Sequence, residues 1–220
     1  MNKRLGFVTL ATLLVLGMPV AAWAQATQFE ITPFLGFRFG GGFKAGTVNQ
    51  PTLPALQDLK IKEGFNYGLI VDITLVEGLQ LEFWGERQNT TLEIKDGGAA
   101  DTLGALDLNL YYAHAGVLWE VNRSYERPLR PIVGLTLGVT VMNPKDVGRS
   151  TETRFSIGLV GGVKYFPGDA IGFRLQTRIV GTYLADNNSI FCVDQSCYTI
   201  PETAYMVQLD ISGGVIIPVF

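Results

Sequence analysis

The chain is poor in the residues that carry most enzyme chemistry. Histidine occurs once, as His114, and cysteine twice, as Cys192 and Cys197. The two cysteines are separated by four residues, so they lack the C-x-x-C spacing and the further ligands that a redox or metal role needs. Basic residues are not in excess. Lys and Arg number 17 against 20 Asp and Glu, a formal net charge of −3, which removes the electrostatic footprint of a nucleic-acid binder. Beyond residue 24 no apolar run approaches the length that spans a bilayer, which excludes a transmembrane helix from that part of the chain. A sustained 3.6-residue hydrophobic period with caps is absent, as are internal repeats and low-complexity tracts. The glycines at 158, 161, 162, 213 and 214 form no phosphate loop, because no Gly-to-helix transition and no Lys-Ser/Thr follows them. They suit strand bending and close packing in a curved sheet.

What is present is glycine and aromatic residues: 26 Gly, 13 Phe and 8 Tyr. The amino end has the form of a secretory signal. Lys3 and Arg4 are its positive region, Leu5 to Val20 its mostly apolar run, and Ala22-Trp23-Ala24 its small-x-small cleavage site. The expected cut follows Ala24, with Ala26 as the alternative. Residues 1–24 are then the signal peptide and 25–220 one domain. The rival reading, an uncleaved anchor helix, fits poorly with that small-residue site. An exported chain without a spanning helix is periplasmic, secreted or an outer-membrane barrel. Of these only a closed barrel satisfies every backbone hydrogen bond inside lipid.

The rest of the sequence alternates with a period of two in eight segments: 28–40, 65–76, 79–95, 104–120, 129–142, 152–166, 169–184 and 203–219. Glu77-Gly78 and Pro167-Gly168 are two-residue turns, and the link from Asn122 to Pro128 is moderate. The links near 41–64, 96–103, 143–151 and 185–202 are longer and mostly polar. Alternating short and long links predict an up-and-down barrel with periplasmic turns and extracellular loops. One face of the strands is apolar. The other carries Glu30, Arg38, Asp72, Gln80, Glu82, Glu86, Lys164, Arg174, Gln176, Arg178, Gln208 and Asp210. The fourth segment reads in opposite phases over Leu106 to Leu110 and Ala113 to Val117, which predicts a bulge there.

Aromatic spacing decides which face points out. Phe29 and Phe39, Phe155 and Tyr165, and Phe173 and Tyr183 are pairs ten residues apart on the apolar face. Ten tilted strand residues rise about 25 Å, the height of a lipid-facing band between two aromatic girdles. Phe39, Tyr67, Phe155, Tyr183 and Tyr205 then mark the outer rim; Phe29, Tyr165 and Phe173 mark the inner rim. The apolar face meets lipid and the charged face fills the lumen.

No catalytic, cofactor-binding or metal-binding set is legible. The candidate site is a lumen charge network of Glu30, Arg38, Asp72, Glu82, Glu86, Lys164, Arg174, Arg178 and Asp210. An eight-stranded interior is just wide enough for side chains, so the network reads as a salt-bridged plug, with a narrow or gated channel as the alternative. Cys192 and Cys197, exported to an oxidising compartment, are expected to form a disulfide. His114 reads as a barrel-wall or girdle residue, since no Ser adjoins it within its strand. The long first loop, Gly41 to Gly64, is the best place for recognition. Phe220, the last residue, is the expected assembly signal. It is one residue out of phase with Leu209, Ile211, Val215, Ile217 and Val219, so a bulge between Val215 and Pro218 is expected, or else a strand that ends before Pro218.

These segments resemble the small OmpA/OmpX-type eight-stranded outer-membrane β-barrels of Gram-negative bacteria. The resemblance lies in Ile31-Thr32-Pro33-Phe34-Leu35-Gly36-Phe37-Arg38-Phe39-Gly40 as a first strand and Glu77-Gly78-Leu79-Gln80-Leu81-Glu82 as a first periplasmic turn. It continues in Thr153 to Phe166 and Ile171 to Leu175 as sixth and seventh strands, and in Phe191-Cys192 with Cys197 as a last-loop cysteine pair. It implies an all-β transmembrane barrel in the outer membrane, in contact with outer-membrane lipid, inserted by the barrel-assembly machinery and monomeric. It implies a structural or surface-interaction role, with the loops as binding surface and an unassigned extracellular partner. The alternative is a narrow channel or an OmpW-like transporter of small apolar molecules, and after it a lipid-modifying enzyme.

Overall fold

A computed structural model describes residues 29–47, 57–95, 102–121, 128–145, 151–168, 170–184, 189–193, 196–199 and 204–219. The expected signal peptide and Phe220 lie outside the described residues. Every regular element among them is a strand: β1 Phe29–Gly40, β2 Gly42–Thr47, β3 Gln57–Ile61, β4 Gly64–Val76, β5 Leu79–Lys95, β6 Thr102–Glu120, β7 Leu129–Pro144, β8 Glu152–Tyr165, β9 Gly172–Leu184, β10 Ser189–Val193, β11 Ser196–Thr199 and β12 Ala204–Val219. Eight of them, β1, β4, β5, β6, β7, β8, β9 and β12, pair antiparallel in that order, and β12 returns to β1. The result is the closed up-and-down barrel that the period-two segments predict.

The remaining strands build upward from the outer rim. Gly40 and Gly41, with φ of 82° and 105°, bend the chain from β1 into β2, a conformation open to glycine at little cost. β2 pairs with β3, β3 with the outer part of β5 (Asp58↔Lys95 to Ile61↔Leu92), and β11 with β2. The described parts of the first and last long links are therefore strands in a common sheet, where polar loops were expected. At the inner rim Gly78 (φ 78°) closes the Glu77-Gly78 turn as expected. The Pro167-Gly168 turn is corrected: β8 ends at Tyr165 and β9 starts at Gly172, so the link is residues 166–171. There the Phe166 amide donates to the Pro128 carbonyl at 2.8 Å, holding this link against the preceding one.

Two expected bulges are absent. β6 keeps one register with β5 from Leu79↔Trp119 to Ile94↔Gly104, and with β7 from Leu108↔Pro144 to Glu120↔Ile132. Its apparent change of phase has a different origin. The inward face of β6 is apolar at its outer end (Leu108, Leu110, Tyr112) and polar further in, at His114 and Glu120. β12 likewise stays in register with β1 from Gly40↔Gln208 to Phe29↔Val219, so it neither bulges after Val215 nor stops before Pro218. Its ladder with β9 already ends at Ile216↔Gly172, so a proline two residues on interrupts nothing on that side.

The outer surface inverts that of a soluble barrel. Leu35, Leu69, Phe83, Leu137, Ile157, Leu159, Leu175, Ile179 and Ile211 are exposed in a band, while charged and amide side chains are buried inside. The girdle aromatics Phe29, Phe39, Tyr67, Phe155, Tyr165, Phe173, Tyr183 and Tyr205 all lie on the outer face. Tyr183 and Tyr205, cross-strand partners, have ring centroids 5.6 Å apart. The sequence reading missed Trp119 and Phe65 on this face, at 62% and 78% exposure.

Candidate functional site: the barrel interior and the outer mouth

Alternate residues of each strand point into the lumen, and the structure brings all nine residues of the expected charge network there. They fall into two groups. In the inner half Lys164 is wholly buried. Its ammonium donates to Glu30 at 2.5 Å, to Asp72 at 3.0 Å and to the Gln80 amide oxygen at 2.6 Å, and lies 3.2 Å from Glu120. Arg174 spans Asp72 at 2.8 Å and Glu82 at 2.5 Å, and Arg178 meets the other Glu82 oxygen at 2.7 Å. Arg130, nearer the inner rim, lies 3.9 Å from Glu120. Four strands supply the carboxylates and β8 and β9 the buried cations. The ion pairs thus cross the lumen and tie opposite walls together.

Higher in the barrel, Arg38 pairs with Glu86 at 2.7 Å. Asn66 donates to both Glu86 and Asp210, and the Ser212 hydroxyl to Asp210 at 2.8 Å. Asp210 is directly opposite both Arg38 and Arg178 in the ladders, yet those guanidiniums turn to Glu86 and Glu82. Trp84 separates the two groups. The guanidinium carbons of Arg178 and Arg38 lie 4.3 and 5.7 Å from its ring centroid, and Arg38 is 4.1 Å from the Tyr112 ring. Cation–π contact of this kind lets weakly hydrated guanidiniums sit in a dry interior.

The lumen is not polar throughout. Above Arg38 the inward residues become Ile61, Leu92, Leu108, Leu110, Met142, Leu184 and Met206, one buried cluster with Ile70, Trp84, Tyr112 and Val180. The outer end is closed by an apolar layer where a fully polar lumen was expected. A smaller cluster of Leu118, Ile132 and Val160 lies towards the inner end.

His114 faces this interior, so its girdle alternative is overturned. Its Nε2 is 2.9 Å from the Ser156 hydroxyl and its Nδ1 3.2 Å from the Thr136 hydroxyl. Ser156 is two strands away in the sheet, which is why no adjacent Ser showed in the sequence. The pair resembles part of a triad only in its first contact. The second nitrogen meets a hydroxyl rather than a carboxylate, and both residues are buried, so no substrate reaches the serine. Trp84, at 4.7 Å between ring centroids, further encloses the imidazole.

Sequence reasoning missed Glu120, Asn66, Tyr112 and Trp84. Trp84 shares the phase of Glu82 and Glu86 and could have been placed. Glu120 could be placed only once β6 was known to be unbroken. Cys192 and Cys197 are directly opposite in the β10–β11 ladder.

Comparison with known proteins places this geometry. The model of the outer membrane protein beta-barrel domain family matches residues 9–196. Among curated proteins none matches. The fold is similar to the crystal structure of the outer membrane protein OprG from Pseudomonas aeruginosa. That match has a TM-score of 0.60 and 10% identity, over 86% of this chain and 96% of that one. The Neisserial surface protein A, NspA, gives a TM-score of 0.51 at 16% identity over 86% and 96% of the two chains. The solid-state NMR structure of the outer membrane protein AlkL gives 0.50 at 13% over 86% and 90%. At these identities the likeness is one of fold.

Proposed function

The chain belongs to the outer membrane protein beta-barrel domain family, and from that premise we propose that it is a sealed wall barrel whose outer sheet and loops are its working surface. One observation carries the reading. The lumen is crossed by ion pairs around Lys164, Arg174 and Arg178 in its inner half and by the apolar layer around Leu108 and Leu110 in its outer half. Charges removed from water in this way need their partners, and partners drawn from opposite walls make the network a plug. The chain reaches the membrane through a cleaved signal over 1–24, is inserted as a monomer by the barrel-assembly machinery, and carries a Cys192–Cys197 disulfide in an outer hairpin. Cα atoms of directly opposed antiparallel residues are about 4.5–5.5 Å apart, within the range a disulfide bridges.

A second reading has its own support. The apolar layer gives the outer lumen the chemistry of a site for a small apolar molecule, so transport of such molecules is the alternative. Planar-bilayer recordings together with uptake by vesicles holding the purified full-length protein separate the two. The sealed barrel gives no large stable conductance steps and no uptake of a small alkane. Large stable steps overturn the plug, and protein-dependent uptake without them favours the second reading.

A further inference from the structure

The outer face of β5 and β7 lacks the aromatic that the other strands place at the outer girdle, where β6 carries Tyr111. Around the outer rim β1, β4, β8, β9 and β12 present Phe39, Tyr67, Phe155, Tyr183 and Tyr205. On β5 the outward residue opposite Tyr67 is Arg87. Its guanidinium carbon lies 5.5 Å from the ring of Tyr111, its cross-strand partner on β6, and its Nε donates to Asn89 Oδ1 at 3.1 Å.

One step further out, the ladder aligns amides. Asn89 is directly opposite Asn109, and Asn109 directly opposite Asn143. Just before the next strand, Thr151 donates to Asn143 Oδ1 at 3.4 Å. Asn109 is only 9% exposed, and its Oδ1 is without a hydrogen-bond partner. The following step holds Thr91, which donates to Asp107 at 3.5 Å, and Lys145, whose ammonium is 3.8 Å from the same carboxylate. Glu93 shares this face further out.

An amide row in phase with a lipid-facing wall is costly against hydrocarbon, at about 1–3 kcal/mol for each unpaired group. It belongs against a polar layer that offers both donors and acceptors. Arg87 stands on the step nearest the acyl chains, where a headgroup's phosphate lies. Charge-assisted pairing of guanidinium with phosphate is strong and directional. Sugar hydroxyls match the free valences of an amide row, and Tyr111 supplies an aromatic surface beside them.

We propose that the outward face formed by Arg87, Asn89, Asn109, Tyr111 and Asn143 binds the phosphorylated sugar headgroup of an outer-leaflet lipopolysaccharide. The site rests on the outer-membrane location and not on whether the lumen is sealed. Arg87 holds the phosphate, and the asparagine row holds the sugars laterally from the barrel wall.

The test is native mass spectrometry of the full-length protein in detergent, titrated with rough lipopolysaccharide, its dephosphorylated form, or phosphatidylglycerol. Arg87→Gln and Arg87→Gln/Asn109→Val are compared with wild type and with Lys60→Gln, which removes an exposed cation further out on the same wall, opposite Glu93. Heat-modifiable gel mobility confirms that each variant is folded. The expected result is a loss of lipopolysaccharide retention of about tenfold in Arg87→Gln, the loss of one charge-assisted hydrogen bond, and a larger loss in the double variant. Dephosphorylation reproduces the Arg87→Gln loss, while Lys60→Gln and phosphatidylglycerol retention stay at the wild-type level. Unchanged retention in Arg87→Gln overturns the site. So does an equal fall in Lys60→Gln, which assigns the binding to net charge, or equal retention of phosphatidylglycerol, which assigns it to any anionic lipid.

Discussion

Replacing Lys164 with methionine isolates the energetic role of the inner ion network. The side chain is fully buried and all three of its N–H donors are used, on Glu30, Asp72 and Gln80. Methionine of similar length fills the space, so the change removes charge with little loss of packing. The three carboxylates near Lys164 then fare differently. Asp72 keeps Arg174 at 2.8 Å and Glu120 keeps Arg130 at 3.9 Å. Glu30 is left with the Gln80 amide at 3.3 Å and no cation among these contacts. Breaking one side of a buried pair costs about 3–5 kcal/mol, because the surviving charge stays out of water. With a urea slope of about 2 kcal/mol per molar, the unfolding midpoint falls by about 1.5 M or more. The assay is reversible urea unfolding in lipid vesicles, followed by tryptophan emission and by gel mobility. Lys164→Met/Glu30→Gln removes the stranded charge as well and should recover part of the loss, giving a positive coupling energy in the double-mutant cycle. A single variant that stays folded and loses less than about 1 kcal/mol refutes the reasoning. Water would then be solvating Glu30, and a wet lumen is no plug.

Three further outcomes follow from the same geometry. Gly68→Val should yield no boil-sensitive barrel on gels, because a Cβ there stands 2.1 Å from the Gly85 carbonyl and 2.7 Å from the Phe34 ring; Gly161→Ala, with nothing within 4 Å, should assemble normally. Truncating Leu110 to alanine in the closed outer layer should cost about 2–5 kcal/mol in the same urea assay, and an effect below that range would mean the layer is loosely packed. Alkylation without reductant should leave the protein mass unchanged, and reducing Cys192–Cys197 should lower stability by about 2 kcal/mol at most, since the closed loop is short; labelling of both thiols in the unreduced protein rules the disulfide out.

The barrel was legible because its signals are local. Period-two alternation marks each strand, and the ten-residue distance from Phe155 to Tyr165 measures the apolar band without any knowledge of pairing. The inward position of each network residue was legible for the same reason. Partner choice was not. Asp210 lies beside Arg38 and Arg178 in the ladders, and only side-chain direction sends those guanidiniums to Glu86 and Glu82. The phase of β6 was obscured because Leu108 and Leu110 point inward at the level of an apolar layer, where a membrane-barrel pattern expects polar residues. The contact between His114 and Ser156 crosses two strands and leaves no trace in spacing. The hairpins within 41–64 and 185–202 escaped notice because their pairing partners, β5 for β3 and β2 for β11, are remote in the chain.

The meeting of β2 and β11 changes how the barrel's last joint behaves. β1 runs directly into β2, and β11 precedes β12, so the joint between the first and last barrel strands continues above the rim as the pairing of Tyr198 with Thr47 and Thr199 with Gly46. The two ends of the fold are buckled twice, once within the bilayer and once outside it. Parting β1 from β12 along their whole length requires the outer buckle to open as well, so the barrel resists sideways opening at the one joint where chain connectivity gives no help. During insertion the outer buckle can fasten only after both hairpins have crossed the membrane, which places it late in assembly.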